Sequence, residues 1–476
     1  MAGIGIENLE GLNTLVFGSL EFLFRFLPVF LLLFYLVPER FKSLVLFLYS
    51  MLLYSAAEPQ YALLLLGMSA VNYLFGRGLE RSDADEADPK KKGWLTAAVA
   101  CNVLLLLYFK ISNAFDKNFL LPLGISFYTF KSISYLADVY RMDVRAEQSF
   151  VRFSAYLCMF PQVVQGPVMR YRDALKGLEG EKSAGSFKQR FCSCAARLES
   201  GMKKLVIGLS AKVLIADRLG ILWNDIQTIG FESISTPLAW LGAAGYSLQL
   251  YFDFAGYSMI AAGIGEMIGF PIIENFRFPY AARSISEFYR RWHITLGAWF
   301  RDYVYIPLGG NKKGAFRTCA NLLAVWLLTG FWHGNSPNFL LWGLILGAFV
   351  VIEKYVLKGF LKKHPLASHM YVLFVIPLTW MVFAIPDFGE MGIYFLRLFP
   401  VAGSQTLVNS GDFLKELRIF APSFAAAAVF CVPAVGRWYE KHQRHVLVIA
   451  GLFILFWITV YQIANAANNP FMYANF

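Results

Sequence analysis

The sequence predicts an all-α, polytopic integral membrane protein, and three observations predict it. The 476 residues are 57% hydrophobic and only 16% charged, too apolar for a water-solvated surface. The chain holds 45 Phe, 24 Tyr and 11 Trp. Apolar runs recur along its whole length, and a helix that crosses a bilayer needs about 20 mostly apolar residues.

Taken in order, the expected spans are 15–37, 43–57, 60–78, 94–111, 120–140, 150–168, 203–220, 237–262, 319–332, 337–353, 370–386, 419–435 and 446–464. Several are short or interrupted by Gly and Pro. Re-entrant or half-spanning pieces are therefore expected among them, where protein or a water-filled cavity satisfies the backbone. The expectation is about ten to thirteen transmembrane or re-entrant helices. The first stretch carries Glu21 and Arg25 and no small-residue cleavage site follows it, so it is expected to be retained. Neither an internal repeat nor a low-complexity linker divides the chain, which predicts one membrane domain over 1–476.

A net charge of +11 suggests nucleic acid only until the basic residues are located. They lie between spans, where the positive-inside bias assigns them to the cytoplasm. The clusters run from Arg170 to Lys204, from Arg277 to Arg317, from Lys354 to Lys363 and from Arg437 to Arg444. The last precedes the final span and puts the C-terminus outside. The six cysteines are scattered, and Cys192-x-Cys194 lacks metal-ligand spacing, so no metal site is expected.

His333 stands in Gly330-Phe331-Trp332-His333-Gly334-Asn335, between apolar runs. A titratable ring at membrane depth is a functional candidate by default. Gly330, Gly334 and Pro337 argue for a broken helix, and such breaks commonly line a site. In the plainer reading the imidazole bonds a facing carbonyl and Trp332 marks the membrane interface. A neutral imidazole can take a proton from an alcohol near pH 7.

The segment 274–317 is aromatic and cationic but too polar to span. Ser284 and Glu287 form a capping-box pattern, and a helix from Ser284 would gather Glu287, Arg290 and Arg291 in one turn while Phe288, Trp292 and Trp299 face lipid or protein. That describes a cytoplasmic-side interfacial helix. Alone it would be a lipid anchor and His293 a structural histidine. A second histidine, His333, in a break between later helices weighs against dismissing both.

Here the chain resembles a known family. Arg290-Arg291-Trp292-His293-Ile294-Thr295, then Trp299-Phe300-Arg301-Asp302-Tyr303-Val304-Tyr305-Ile306-Pro307-Leu308-Gly309-Gly310-Asn311, then Trp332-His333-Gly334, closely resemble the membrane-bound O-acyltransferase superfamily. Within it the pattern is most similar to the bacterial branch of alginate O-acetylation membrane proteins. Supporting stretches are Pro122 to Phe130, Phe160-Pro161-Gln162, Gly166 to Arg172 and Tyr246 to Ser258.

The resemblance implies helices around a central tunnel, with an acyl donor entering from the cytoplasm and an acceptor from the opposite side of a bacterial cytoplasmic membrane. It maps His333 onto the catalytic histidine, as base, and His293 onto the second family histidine, cast here as a donor that positions the acyl group or stabilises charge. Acetyl-coenzyme A is the expected donor, with Arg290, Arg291, Lys312 and Lys313 as cations for its phosphates. An acyl carrier protein would use the same charges. Asp253 is expected to pair with an arginine such as Arg283 or Arg290, or else to act directly. Tyr246, Gln249, Asn321 and Trp332 are expected as tunnel-wall or supporting residues.

The tail 465–476 ends in Phe471-Met472-Tyr473-Ala474-Asn475-Phe476. It is either an interfacial aromatic anchor or, by analogy with envelope-acylating systems, an extracellular relay in which Tyr473 accepts the acyl group. Ala474 and Asn475 depart from the aromatic and Gln expected there. The implied product is an O-acetylated extracellular polysaccharide, finished by a separate extracytoplasmic SGNH/esterase-like acetyltransferase. The alternatives are acylation of a lipid or lipid-linked sugar, and a transporter or flippase.

Overall fold

The structure, a computed structural model, describes residues 17–81, 89–116, 119–164, 166–179, 186–400, 408–409 and 411–465. Tyr473 and the rest of the tail beyond 465 lie outside the described residues, which contain helices and no strand. The protein is an all-α, polytopic membrane protein.

Among the described residues six helices are long and apolar enough to cross a bilayer: Pro59–Glu80, Pro89–Phe115, Gly314–His333, Pro337–Lys363, Pro365–Ala384 and Val446–Asn465. A seventh candidate is the pair Asp412–Phe430 and Pro433–His442, bent by 72°. The other expected spans also appear as helices. The stretch 150–168 breaks at Met159 into Phe150–Cys158 and Phe160–Val163. The stretch 203–220 is interrupted by a π-helical turn, Ala211–Ala216, that carries the buried Lys212.

The chain divides into two compact units. One contains residues to Leu209 with Tyr257–Glu274 and the chain from Val460. In it the side chains of Asn72 and Asn102 exchange hydrogen bonds of 3.2 and 2.7 Å between the helices Ala62–Arg81 and Pro89–Phe115, the kind of polar contact that joins helices where no hydrophobic force can. Lys131 is fully buried, and its ammonium donates to the carbonyl of Tyr156. Gly124 has φ +72°, and a Cβ there would lie 1.9 Å from the carbonyl oxygen of Val163, so no other residue fits.

The second unit comprises Ser210–Gly256 and Asn275–Thr459 and contains both candidate histidines. Its centre is the hairpin of Gly314–His333 with Pro337–Ile352. A Cβ at Gly330 would lie 2.3 Å from the carbonyl oxygen of Phe339, and one at Gly343 2.4 Å from that of Trp326. The glycines therefore let two backbones touch, as small residues do between membrane helices. The helix break expected around His333 is present and falls just after it. Gly330 is helical, His333 is the last helical residue, and the break is the extended Gly334 with Pro337 opening the next helix.

Candidate functional site

His293 is set by a backbone clamp. The amide of Ile294 donates to the carbonyl of Asn275 at 2.9 Å, and the amide of Arg277 to the carbonyl of Arg291 at 2.9 Å. Between them His293 adopts φ +46°, ψ +52°, a left-handed conformation costing a non-glycine residue about 1–2 kcal/mol. His293 then caps the short helix Ile294–Phe300.

The side chain of Asn275, 3% exposed, fixes the ring. Its Oδ1 accepts from the amide of Thr295 at 3.2 Å and from the Thr295 hydroxyl at 2.8 Å, so this atom is the oxygen. The same oxygen lies 3.2 Å from His293 Nδ1, which must therefore carry the proton. Nε2 is left with its lone pair, buried and without a hydrogen-bond partner among the described residues. His293 lies outside the spanning helices, and burial pulls its pKa down to about 3, so the ring is neutral. In this arrangement Nδ1 is the donor and Nε2 the acceptor.

Trp332 brings the two histidines together. Its ring lies 6.1 Å from His293 and 4.5 Å from His333, between centroids, so one indole separates the two imidazoles. His333, 7% exposed, meets Trp342 edge-on at 5.1 Å and Phe383 at 5.2 Å. A second aromatic path runs from Trp292 to Trp380 at 5.1 Å and from Trp380 to Trp342 at 5.7 Å. Phe254 closes the other side of His293 at 4.6 Å.

Three anchoring residues were not singled out from the sequence. Asn275 is one. Asn338 donates to the carbonyls of Val382 and Phe383 at 3.1 and 2.9 Å, which pins the Phe383 wall, while its own buried Oδ1 has no partner. Glu353, 4% exposed, accepts from the amide of Ile285, from the amide of Ser286 at 2.8 Å and from the Ser286 hydroxyl at 2.6 Å. A carboxylate at a helix start is favoured by the exposed amides and the dipole there. It fixes Ile285–Arg291, the helix that delivers His293. The only local signal was an acid among the lysines following a span.

The capping residue is as expected, since the Ser284 hydroxyl accepts from the amide of Glu287 at 2.9 Å. The return bond comes from the amide of Arg283, at 2.9 Å, one residue before the cap. Phe288, Trp292 and Trp299 are buried against protein. Of the expected phosphate cations, Arg290, Lys312 and Lys313 are exposed. Arg291 is partly buried and paired with Glu287 at 2.6 Å.

The supporting residues divide. Asp253, 2% exposed, has Lys212 Nζ 3.6 Å from its carboxylate, where Arg283 or Arg290 was expected. Lys212 also pairs with Asp217. Asn321 donates to the carbonyls of Leu308 and Gly310 at 3.3 and 3.1 Å and so staples that loop. Tyr246 packs on Trp223 at 5.0 Å. Gln249 has a buried Oε1 without a partner. Among the described residues no group of three His, Cys, Asp or Glu is placed to hold a metal ion.

Chemically, the arrangement offers a neutral imidazole with an open, desolvated lone pair, and a second imidazole one indole away. Trp342 adds a buried indole N–H without an acceptor. These are parts for moving a proton and holding a polarised oxygen in dry surroundings.

Comparison with known proteins bears on the same region. A family model described as the membrane-bound O-acyltransferase family matches residues 144–387, just over half of the chain. A Pseudomonas putida protein named probable alginate O-acetylase AlgI is 32% identical over 97% of this chain and 100% of its own length. One of the same name from Azotobacter vinelandii is 38% identical over 90% of this chain and 86% of its own. A peptidoglycan O-acetyltransferase from Helicobacter pylori is 28% identical over 97% and 98%.

Proposed function

Because this chain belongs to the membrane-bound O-acyltransferase family, we propose that it moves an acetyl group from a cytoplasmic thioester, acetyl-coenzyme A, toward hydroxyls of an extracellular polysaccharide. That it is an acyltransferase follows from the family and from the named relatives. The polysaccharide and the acetyl group are supported by relatives named for alginate and peptidoglycan O-acetylation. The observation that carries the reading is the pair of imidazoles that both meet the Trp332 ring within the matched region.

In the proposed reaction His333 takes the proton of an acceptor hydroxyl as its oxygen bonds to the thioester carbonyl carbon. The carbon–sulfur bond then breaks, and the imidazolium returns the proton to the leaving thiolate. The Trp342 N–H is a donor available to the carbonyl oxygen. His293 Nε2 accepts a hydrogen bond from the hydroxyl or thiol and orients it. Arg290, Lys312 and Lys313, exposed, are free to meet the phosphates of coenzyme A or the acidic surface of a carrier protein.

The rest of the proposal concerns the far side of a bacterial cytoplasmic membrane. Tyr473 is the first acceptor there, within reach of mid-membrane depth, because about a dozen extended residues span roughly 40 Å. A separate SGNH/esterase-like acetyltransferase completes transfer to the polymer.

His333→Ala tests the reading. Mass spectrometry of the envelope polysaccharide should show acetylation lost by at least about 100-fold, and thioester consumption by the purified protein should fall with it. No thioester consumption by the purified unaltered protein, with export still dependent on it, would instead indicate a transporter.

A further inference from the structure

In the unit that begins with the first helices, a cavity of about 530 Å³ opens beside the start of Glu39–Ala57. Its wall includes Arg40, Arg152, Ser43 and Ser149 on the polar side and Phe41 and Leu44 on the apolar side. Glu39 also lines it, but its carboxylate accepts from the ammonium of Lys42 at 2.6 Å. Arg152 Nε lies 3.4 Å from Glu147, whose carboxylate is also held by the Tyr171 hydroxyl at 2.6 Å. Among the described residues Arg40 has the ring of Phe41 beneath its guanidinium, at 4.7 Å, and no carboxylate partner. The wall thus carries an excess of positive charge, and one of its two arginines is uncommitted.

A second feature continues from the cavity. Phe41, Leu44, Leu48 and Leu52 are 41%, 36%, 53% and 60% exposed. Their spacing of three and four residues places them on one face of Glu39–Ala57. The apolar stripe starts at the cavity wall and runs away from it along the helix. Ser149, which also lines the cavity, caps Phe150–Cys158 by accepting from the amide of Arg152 at 3.3 Å.

We propose that this cavity seats the phosphate of an anionic phospholipid, with Arg40 and Arg152 on the phosphate and the acyl chains along Phe41, Leu44, Leu48 and Leu52. A soluble phosphate would use the arginines and leave the stripe bare. An uncharged lipid would cover the stripe and leave the arginines unmatched. Only an amphiphile with an anionic head uses both.

The test uses the full chain, purified in detergent and placed in nanodiscs of phosphatidylcholine with or without phosphatidylglycerol. Native mass spectrometry should show phosphatidylglycerol retained over phosphatidylcholine by about tenfold, the scale of one charged contact. Arg40→Gln should remove most of that preference, and it removes no hydrogen bond from the fold. Leu48→Gln should weaken retention of the same lipid. Equal retention of the two lipids by the unaltered protein, or an unchanged preference in Arg40→Gln, would overturn the proposal. So would protection against heat by inorganic phosphate that equals protection by phosphatidylglycerol and disappears in Arg40→Gln.

Discussion

Asn275 and His293 share one oxygen: Asn275 Oδ1 lies 3.2 Å from His293 Nδ1 while accepting twice from Thr295. That oxygen decides which imidazole nitrogen faces the site. An amide in a coil segment 18 residues upstream therefore controls the proton inventory of the candidate active site.

Asn275→Ala should lower the rate of acyl transfer by up to about 100-fold with a folded protein, because ring and tautomer are no longer held. Asn275→Asp makes a sharper prediction. A carboxylate beside Nδ1 favours the imidazolium and raises the His293 pKa from about 3. The open lone pair is then lost at a higher pH, so the acid limb of the pH–rate profile should move toward neutrality. An unmoved limb in single-turnover assays would remove His293 from the proton chemistry.

Burial of neutral His293 also makes stability depend on pH. Its folded pKa is below the ordinary value of 6.5, so its contribution is complete above 6.5 and is lost as pH falls toward 3. Thermal unfolding in detergent should show a lower Tm at about pH 5 than at about pH 7. His293→Gln, which has no such proton to take up, should flatten that difference.

Glu353→Gln withdraws charge and acceptor capacity from the start of Ile285–Arg291. The expected cost is about 1–3 kcal/mol in unfolding experiments. Activity should fall with it, since this helix leads directly into His293. Lost stability with full activity would show that the clasp holds the fold but not the ring.

Lys212→Met leaves Asp253 and Asp217 without their shared amine. A buried pair broken on one side costs about 3–5 kcal/mol. The double variant Lys212→Met/Asp253→Asn should recover much of that stability. If it is stable and active, Asp253 is structural; if stable and inactive, its carboxylate takes part in the reaction.

The helices were legible because their signal is local: each apolar run announces itself over its own length. His333 was legible for a related reason, as a titratable ring between two such runs. The residues that position the site were not. Asn275 sits in a loop with no periodicity, and its partners are 18 and 20 residues away. Lys212 lies inside an apolar run, 41 residues from Asp253, where nothing in the pattern favours it over the arginines nearer in sequence. Glu353 meets Ile285 and Ser286 from 68 and 67 residues away. Side-chain pairs of that separation are chosen by the packed fold, and the linear pattern leaves them open.

The glycine contacts between Gly314–His333 and Pro337–Ile352 have a consequence for sequence drift. With Gly330 against the Phe339 carbonyl and Gly343 against that of Trp326, the axial position of His333 is locked by main chain on main chain. Outward-facing side chains such as Leu327, Leu340 and Leu344 are then free to exchange among apolar types as the surrounding lipid changes, without moving the ring. Substitution at either glycine would shift the histidine itself, so variation tolerated on these two helices is confined to their lipid-facing rows.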